Sequence, residues 1–324
     1  MKIVLLDDYQ SAAMTSAPWS SLPAGTVVQA FADHLSEETA LAARLRDADV
    51  VMALRERTAF SRTLLERLPQ LKLIPTAGMR NAAIDMKAAT ELGILVCGTQ
   101  GESADTAELT WGLILSLLRH IPFEHHALRT GRWQSTLGTG LAGKTLGLLG
   151  LGTIGAQMAR VARAFNMCIV AWSQNLTEER ARECGVERVT KQDLLCRSDV
   201  LSIHTRLSDR TRGILGAAEL AAMKPSAVLI NSSRGPIVDE AALLDALLRR
   251  VIAGAGLDVY DEEPLAAAHP LLGLNNVVLT PHLGYVTVDR LKAFYGQTLE
   301  NIKAWMNGTP ARVVNPEVLS HRRR

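Results

Sequence analysis

The sequence predicts an α/β protein made of two doubly wound parallel-sheet domains, and three observations carry that expectation. Short β-branched runs alternate with longer amphipathic stretches from one end of the chain to the other. The runs are apolar at nearly every residue, as strands covered by helices on both faces require. At 324 residues the chain also exceeds one ordinary domain of roughly 100–200 residues.

The first series of expected strands is Ile3–Leu6, Thr26–Phe31, Val50–Leu54, Leu71–Pro75 and Ile94–Cys97, with helical periodicity at Glu37–Arg46 and Ser61–Leu68 between them. The apolar helix Ser103–Arg119, bounded by Gly98–Gly101 and Pro122, reads as the link between domains. A second series follows, with strands at Thr145–Leu149, Cys168–Trp172, Val200–Ile203, Val228–Ile230, Ala255–Leu257 and Val277–Leu279. Its helices fall at Ile154–Phe165, Glu178–Arg182, Ala217–Met223 and Glu240–Arg249. The last long helix, Val288–Met306, arrives after the second sheet is complete and is expected to return to the first domain. Residues 1–98 with 286–324 therefore form one domain, and 99–285 the inserted one.

Composition narrows the function classes. The chain is 48% hydrophobic and 21% charged, with 35 basic against 33 acidic residues and a net charge of +2. That balance offers no polyanion-binding surface, so nucleic acid is not an expected partner. No stretch approaches the run of about eighteen apolar residues that a membrane helix needs, and Asp7 and Asp8 cut the opening apolar run. Cys97, Cys168, Cys184 and Cys196 show no paired or metal-like spacing with the histidines. They read as small buried hydrophobes in a reducing, cytoplasmic compartment, with no metal. Arg322–Arg323–Arg324 reads as a frayed, solvated end.

The chemistry sits at strand ends. Gly150-Leu151-Gly152-Thr153-Ile154-Gly155 follows the strand Thr145–Leu149 and opens a helix. The first glycine permits the turn, the second lets backbone approach a pyrophosphate, and the third lets helix and strand pack closely. That predicts a Rossmann dinucleotide-binding domain. About twenty residues on, where an acidic residue would hold a ribose 2′-hydroxyl, the chain has Ser173-Gln174-Asn175. With no carboxylate to repel a 2′-phosphate, the site suits NAD or NADP and leans towards accepting NADP. Arg180 and Arg182 are candidates to neutralise that phosphate. Asn231-Ser232-Ser233-Arg234-Gly235 follows another apolar strand, and an arginine there can grip a carboxylate and polarise a carbonyl. Gly256–Pro264 and Leu279–Gly284 bring Glu263 and His282 to the same edge. A carboxylate behind a histidine favours the protonated ring that a general acid–base needs.

These motifs together resemble the D-isomer-specific 2-hydroxyacid dehydrogenase family over almost the whole chain. Ser233-Arg234-Gly235 with Val238-Asp239, Asp258-Val259-Tyr260 with Glu263-Pro264, and Thr280-Pro281-His282-Leu283-Gly284 each match a family motif. Thr106-Ala107-Glu108 with Arg119, and Gly131-Arg132-Trp133, match its interdomain region. The resemblance implies a flavodoxin-like substrate domain, a cleft between domains that closes on substrate, and a homodimer through the nucleotide domain. It implies that His282 protonates a carbonyl oxygen, that Glu263 orients His282, that Arg234 binds a small 2-oxo acid, and that Asp258 accepts from the nicotinamide carboxamide. His204, Asn231, Ser232, Ser233 and Gly284 would line the cofactor groove. Ala77-Gly78-Met79 resembles the loop whose amides hold the substrate carboxylate. Arg55 and Arg57 lie where some members contact a distal phosphate. The family also holds a corepressor branch and formate- and phosphite-oxidising members; Glu263 stands where formate oxidisers usually have Gln. The chain departs from the pattern at Ser173, at Arg206 in place of a proline, and at Tyr285 in place of a small residue.

Overall fold

The computed structural model describes residues 1–101 and 104–323. Ser103, the expected start of the long apolar helix, and Arg324 of the basic end lie outside the described residues. The chain divides into two compact units, Met1–Glu102 with Thr287–Arg324, and Ser103–Val286.

The first unit has five strands: β1 (Lys2–Leu5), β2 (Val27–Ala30), β3 (Val50–Met52), β4 (Leu73–Pro75) and β5 (Leu95–Cys97). Its helices are α1 (Ala13–Ser16), α2 (Glu38–Leu45), α3 (Arg62–Glu66) and α4 (Met86–Glu91). The strands run parallel in the order β2-β1-β3-β4-β5, the flavodoxin-like order. β3, β4 and β5 are buried at every residue, which is why they read as continuous apolar runs.

The second unit begins with α5 (Ala104–Leu118) and α6 (Ile121–Arg129). Strands β6 (Thr145–Leu149), β7 (Cys168–Trp172), β8 (Glu187–Arg188), β9 (Val200–Ile203), β10 (Val228–Asn231), β11 (Gly254–Leu257) and β12 (Val277–Leu279) follow. They alternate with α7 (Thr153–Ala164), α8 (Glu178–Glu183), α9 (Lys191–Arg197), α10 (Ala217–Ala221) and α11 (Glu240–Leu248). The parallel sheet is ordered β12-β11-β10-β9-β6-β7-β8, so the chain reverses direction between β6 and β9. Successive residues of one strand feed opposite cores: Leu146 and Leu148 of β6 join Trp111 and Met158, while Leu149 joins Leu194 and Leu229.

Several expectations change on contact with the structure. α5 is more than a link, because Trp111, Leu113, Ile114 and Leu117 are buried in the core of the second unit. α5 stops at Leu118, short of Pro122 as expected, but Pro122 opens a further helix. It sits in the first turn of α6, where its missing N–H is one of the unpaired donors anyway. The two-residue strand β8 is too short to give a period. Cys97 and Cys184 are buried as expected, but Cys168 and Cys196 are exposed. All four thiols are free.

The returning helix α12 (Val288–Met306) buries Leu291, Phe294, Tyr295, Thr298, Leu299 and Ile302, one stripe of the helix, within the first unit. Asn315 beyond it accepts from Val96 N at 2.8 Å and donates to Ile94 O at 3.0 Å, and Val313 pairs with Cys97. Arg323 of the basic end is docked and not frayed. Arg323 N donates to Gly93 O at 2.8 Å, and its guanidinium reaches the carbonyls of Leu68 and Leu71 at 2.9 and 3.0 Å.

Candidate active site

Six loops of the second unit leave the carboxyl ends of parallel strands, the edge at which open α/β sheets bind ligands. After β6, Gly150 adopts φ +105°, and a Cβ there would come within 2.8 Å of the His204 carbonyl carbon. A Cβ on buried Gly155 would overlap the Gly150 carbonyl oxygen. Gly150 is therefore required by the close pass of the loop after β9, and Gly155 by the close pass of α7 over its own loop. Gly152 caps α7 with no side-chain bond and open space beside it, and Thr153 and Ile154 form its first turn. A helix N-terminus presented bare in this way fits a pyrophosphate.

The end of β7 opens on a cavity of about 420 Å³ lined by Ser173, Gln174 and Asn175 on one side and by Thr205, Arg206 and Arg210 on the other. Arg180, a sequence candidate for a 2′-phosphate, is turned to Glu183 at 3.1 Å and to Leu151 O at 3.4 Å; Arg182 is exposed on α8. Neither lines the cavity. Arg210 does, and sequence reasoning missed it because no motif marks that loop position.

His204 follows β9 with Nε2 2.8 Å from Ser202 Oγ. Burial of the ring pushes its pKa down to about 3, so the imidazole is neutral. After β10, Asn231 brackets the turn: Oδ1 accepts from Ser233 N and Nδ2 donates to Arg234 O, both at 3.0 Å. Ser233 Oγ donates to Thr205 O at 2.5 Å. Ser232 and Thr110 hydroxyls lie 2.6 Å apart, and Thr110 spends its proton on Thr106 O, so Ser232 is the donor. Arg234 is extended and half-buried, with Nη1 donating to its neighbour Ser233 O at 2.6 Å.

Asp258 is fully buried after β11. Oδ1 accepts from Thr280 Oγ1 at 2.6 Å and Leu283 N at 2.7 Å, and Oδ2 accepts from Gly284 N at 2.9 Å. Burial holds its carboxyl above the usual range, against the pull of those donors and of His282. The resemblance gives Asp258 a partner on the cofactor. Here its carboxylate holds the loop after β12 through all three of those bonds. Thr106 Oγ1 secures the same loop by donating to Gly284 O at 2.8 Å.

Glu263 Oε2 lies 2.6 Å from His282 Nδ1, and Oε1 accepts from Tyr260 N at 3.0 Å. A carboxylate only accepts, so Nδ1 carries a proton and Nε2 is the ring atom left for chemistry. His282 has φ +54°, a left-handed conformation that an L-residue keeps only when its surroundings hold it. The Tyr285 ring meets the imidazole edge-on at 5.6 Å between centroids.

In the first unit, Arg55 (φ +59°) follows β3, and its guanidinium lies on the 77–79 loop, donating to Ala77 O at 3.2 Å. The amides of that loop are less open than the resemblance implies. Ala77 N donates to Ala53 O at 3.1 Å and Gly78 N to Thr99 Oγ1 at 2.8 Å. Met79 is exposed beside them. Arg57 is held by Asp7 O at 2.8 Å and stacks on Tyr9.

Residues 111–284 match the model for the NAD-binding domain of D-isomer specific 2-hydroxyacid dehydrogenases. The chain is 41% identical to a glyoxylate reductase of Aeropyrum pernix, covering 80% of this chain and 81% of that one. It is 40% identical to a D-3-phosphoglycerate dehydrogenase of Methanocaldococcus jannaschii over 84% of its length, but spans only 52% of that longer protein. Among solved structures, a phosphoglycerate oxidoreductase of Vibrio cholerae superposes with TM-score 0.90 at 37% identity, covering 95% of this chain and 99% of that one. The chain belongs to the D-isomer specific 2-hydroxyacid dehydrogenase family, as an oxidoreductase of hydroxy acids with a nicotinamide-dinucleotide domain.

Proposed function

We propose that the chain reduces a small 2-oxo acid of the glyoxylate or hydroxypyruvate type to the D-2-hydroxy acid, and that it accepts NADPH as well as NADH. The observation that carries this reading is the His282–Glu263 pair at 2.6 Å, with Arg234 on a neighbouring loop of the same sheet edge. Bound at the glycine loop, the dinucleotide supplies the hydride for C2. Arg234 binds the carboxylate and draws electron density onto the carbonyl oxygen. His282 Nε2 delivers the proton to that oxygen, and Glu263 holds the ring and offsets its charge. Asp258 keeps the His282 loop in place and offers Oδ2 to the carboxamide.

NADPH acceptance rests on Arg206 and Arg210 lining one cavity with the neutral Ser173 and Gln174. The glyoxylate-type substrate is taken from the likeness to the glyoxylate reductase, which extends over most of both chains. Exposed Ile121, Phe123, Leu128, Trp133 and Leu137 form an apolar stretch on α6 and the segment after it, and we assign it to a homodimer contact. Free thiols throughout fit a reducing, cytoplasmic setting. Among the described residues no helix is long and apolar enough to cross a membrane.

The test is oxidation of NADH and NADPH by the purified protein with glyoxylate, hydroxypyruvate, pyruvate and 3-phosphohydroxypyruvate. Turnover with the first two is expected. Tight dinucleotide binding without turnover on any of the four would overturn the reading.

A further inference from the structure

We infer that Tyr260 is a positioning residue for the reaction, its hydroxyl fixing the carbonyl from which the His282 backbone hangs. The inference rests on His282 being the proton donor. The Tyr260 hydroxyl donates to Thr280 O at 3.0 Å, with Leu257 O as a weaker second acceptor at 3.3 Å. Thr280 O also accepts the His282 amide at 3.0 Å, closing the three-residue turn across Pro281 that sets the histidine at φ +54°.

The rest of Tyr260 touches the other two motifs. Its amide donates to Glu263 Oε1, whose partner oxygen meets His282. Its backbone passes so close to Gly235 that a Cβ on Gly235 would overlap it, so the residue next to Arg234 is seated against Tyr260. One buried residue thus joins these motifs, its hydroxyl reaching the loop of His282 and its backbone meeting Glu263 and the residue next to Arg234. Burial, with Asp258 and Glu263 nearby, holds the phenol above its ordinary range, so it stays a donor wherever the protein works.

The hydroxyl acts on geometry. Without it, the Thr280 carbonyl is free to turn, and the strained His282 backbone loses one of its restraints. Proton delivery suffers more than binding, because only the transition state needs Nε2 at the oxygen.

Tyr260→Phe removes the hydroxyl and leaves the packing. In the holoenzyme with NADPH, kcat for the best 2-oxo acid should fall about three- to tenfold, with KM and NADPH affinity within about twofold. In protein carrying isotope-labelled histidine, the His282 ring signals should move while those of His204 stay. A lower Tm with unchanged kcat, or a loss confined to KM, would show that the hydroxyl only packs, and would sink the inference. Unmoved His282 signals would do the same. Should the wild type turn over no 2-oxo acid, the functional reading fails, and the ring signals alone decide the positioning.

Discussion

Glu263 Oε2 stands 2.6 Å from His282 Nδ1, and the other Glu263 oxygen is held by the Tyr260 amide, so the carboxylate cannot swing away from the ring. Glu263→Gln keeps the shape but places a neutral amide behind the histidine. It should lower kcat by about 10–100-fold. His282→Ala should cost at least about 10³-fold in kcat while leaving dinucleotide affinity within about twofold. Steady-state kinetics beside a fluorescence titration of NADPH checks both. Equal losses in binding and turnover would mean a damaged fold.

Arg206 and Arg210 face Ser173 and Gln174 across one cavity, which yields a cofactor prediction. Replacing both arginines with Ala should raise KM for NADPH about tenfold and leave NADH nearly untouched, the signature of lost phosphate contacts. Ser173→Asp should act in the same direction by repulsion. A loss shared equally by the two cofactors would remove both arginines from 2′-phosphate recognition.

His204 makes the second unit acid-sensitive. Its ring is neutral in the fold, with a pKa near 3 against an ordinary 6.5. Between those values the unfolded chain binds a proton that the folded chain refuses. Its contribution to stability is therefore whole above pH 6.5 and is lost as pH falls towards 3, at up to about 1.4 kcal/mol per unit. Urea unfolding at pH 7 and pH 5 should show wild type losing about 2 kcal/mol more than His204→Gln. Parallel losses would mean that the histidine protonates in the fold.

Asn315 uses its whole side-chain amide on the β5 region, with bonds to Val96 N, Ile94 O and Thr90 Oγ1 at 2.8 to 3.1 Å. Asn315→Ala strands a buried donor and acceptor and should cost about 2–3 kcal/mol of the first unit's stability. Dinucleotide affinity should not change, since the binding loop is in the other unit. Thermal unfolding with and without NADPH separates the two effects.

The sheets were legible because parallel strands are buried on both faces and so appear as solid apolar runs; all six strands expected in the second unit keep their bounds within one residue, as does α12. The strand-end motifs were legible because glycines, a proline and a histidine at fixed spacing admit few other uses. What stayed hidden depends on partners remote in sequence. Nothing near Arg210 says that it lines a cavity with Ser173. Nothing near Thr99 says that its hydroxyl takes the Gly78 amide, 21 positions away. Arg323 looked like a loose end because the carbonyls that receive it lie more than 250 residues earlier.

The first unit is sewn shut by the last residues of the chain. β5 is the outermost strand of its sheet, and Val313 and Asn315 are what lie along its open side. During synthesis the strand therefore waits, with its ladder groups unpaired, until the whole second unit has emerged. Bare strand edges recruit other chains. A nascent or clipped polypeptide ending before residue 313 should therefore aggregate through β5, even though every residue of the proposed catalytic trio has already been made.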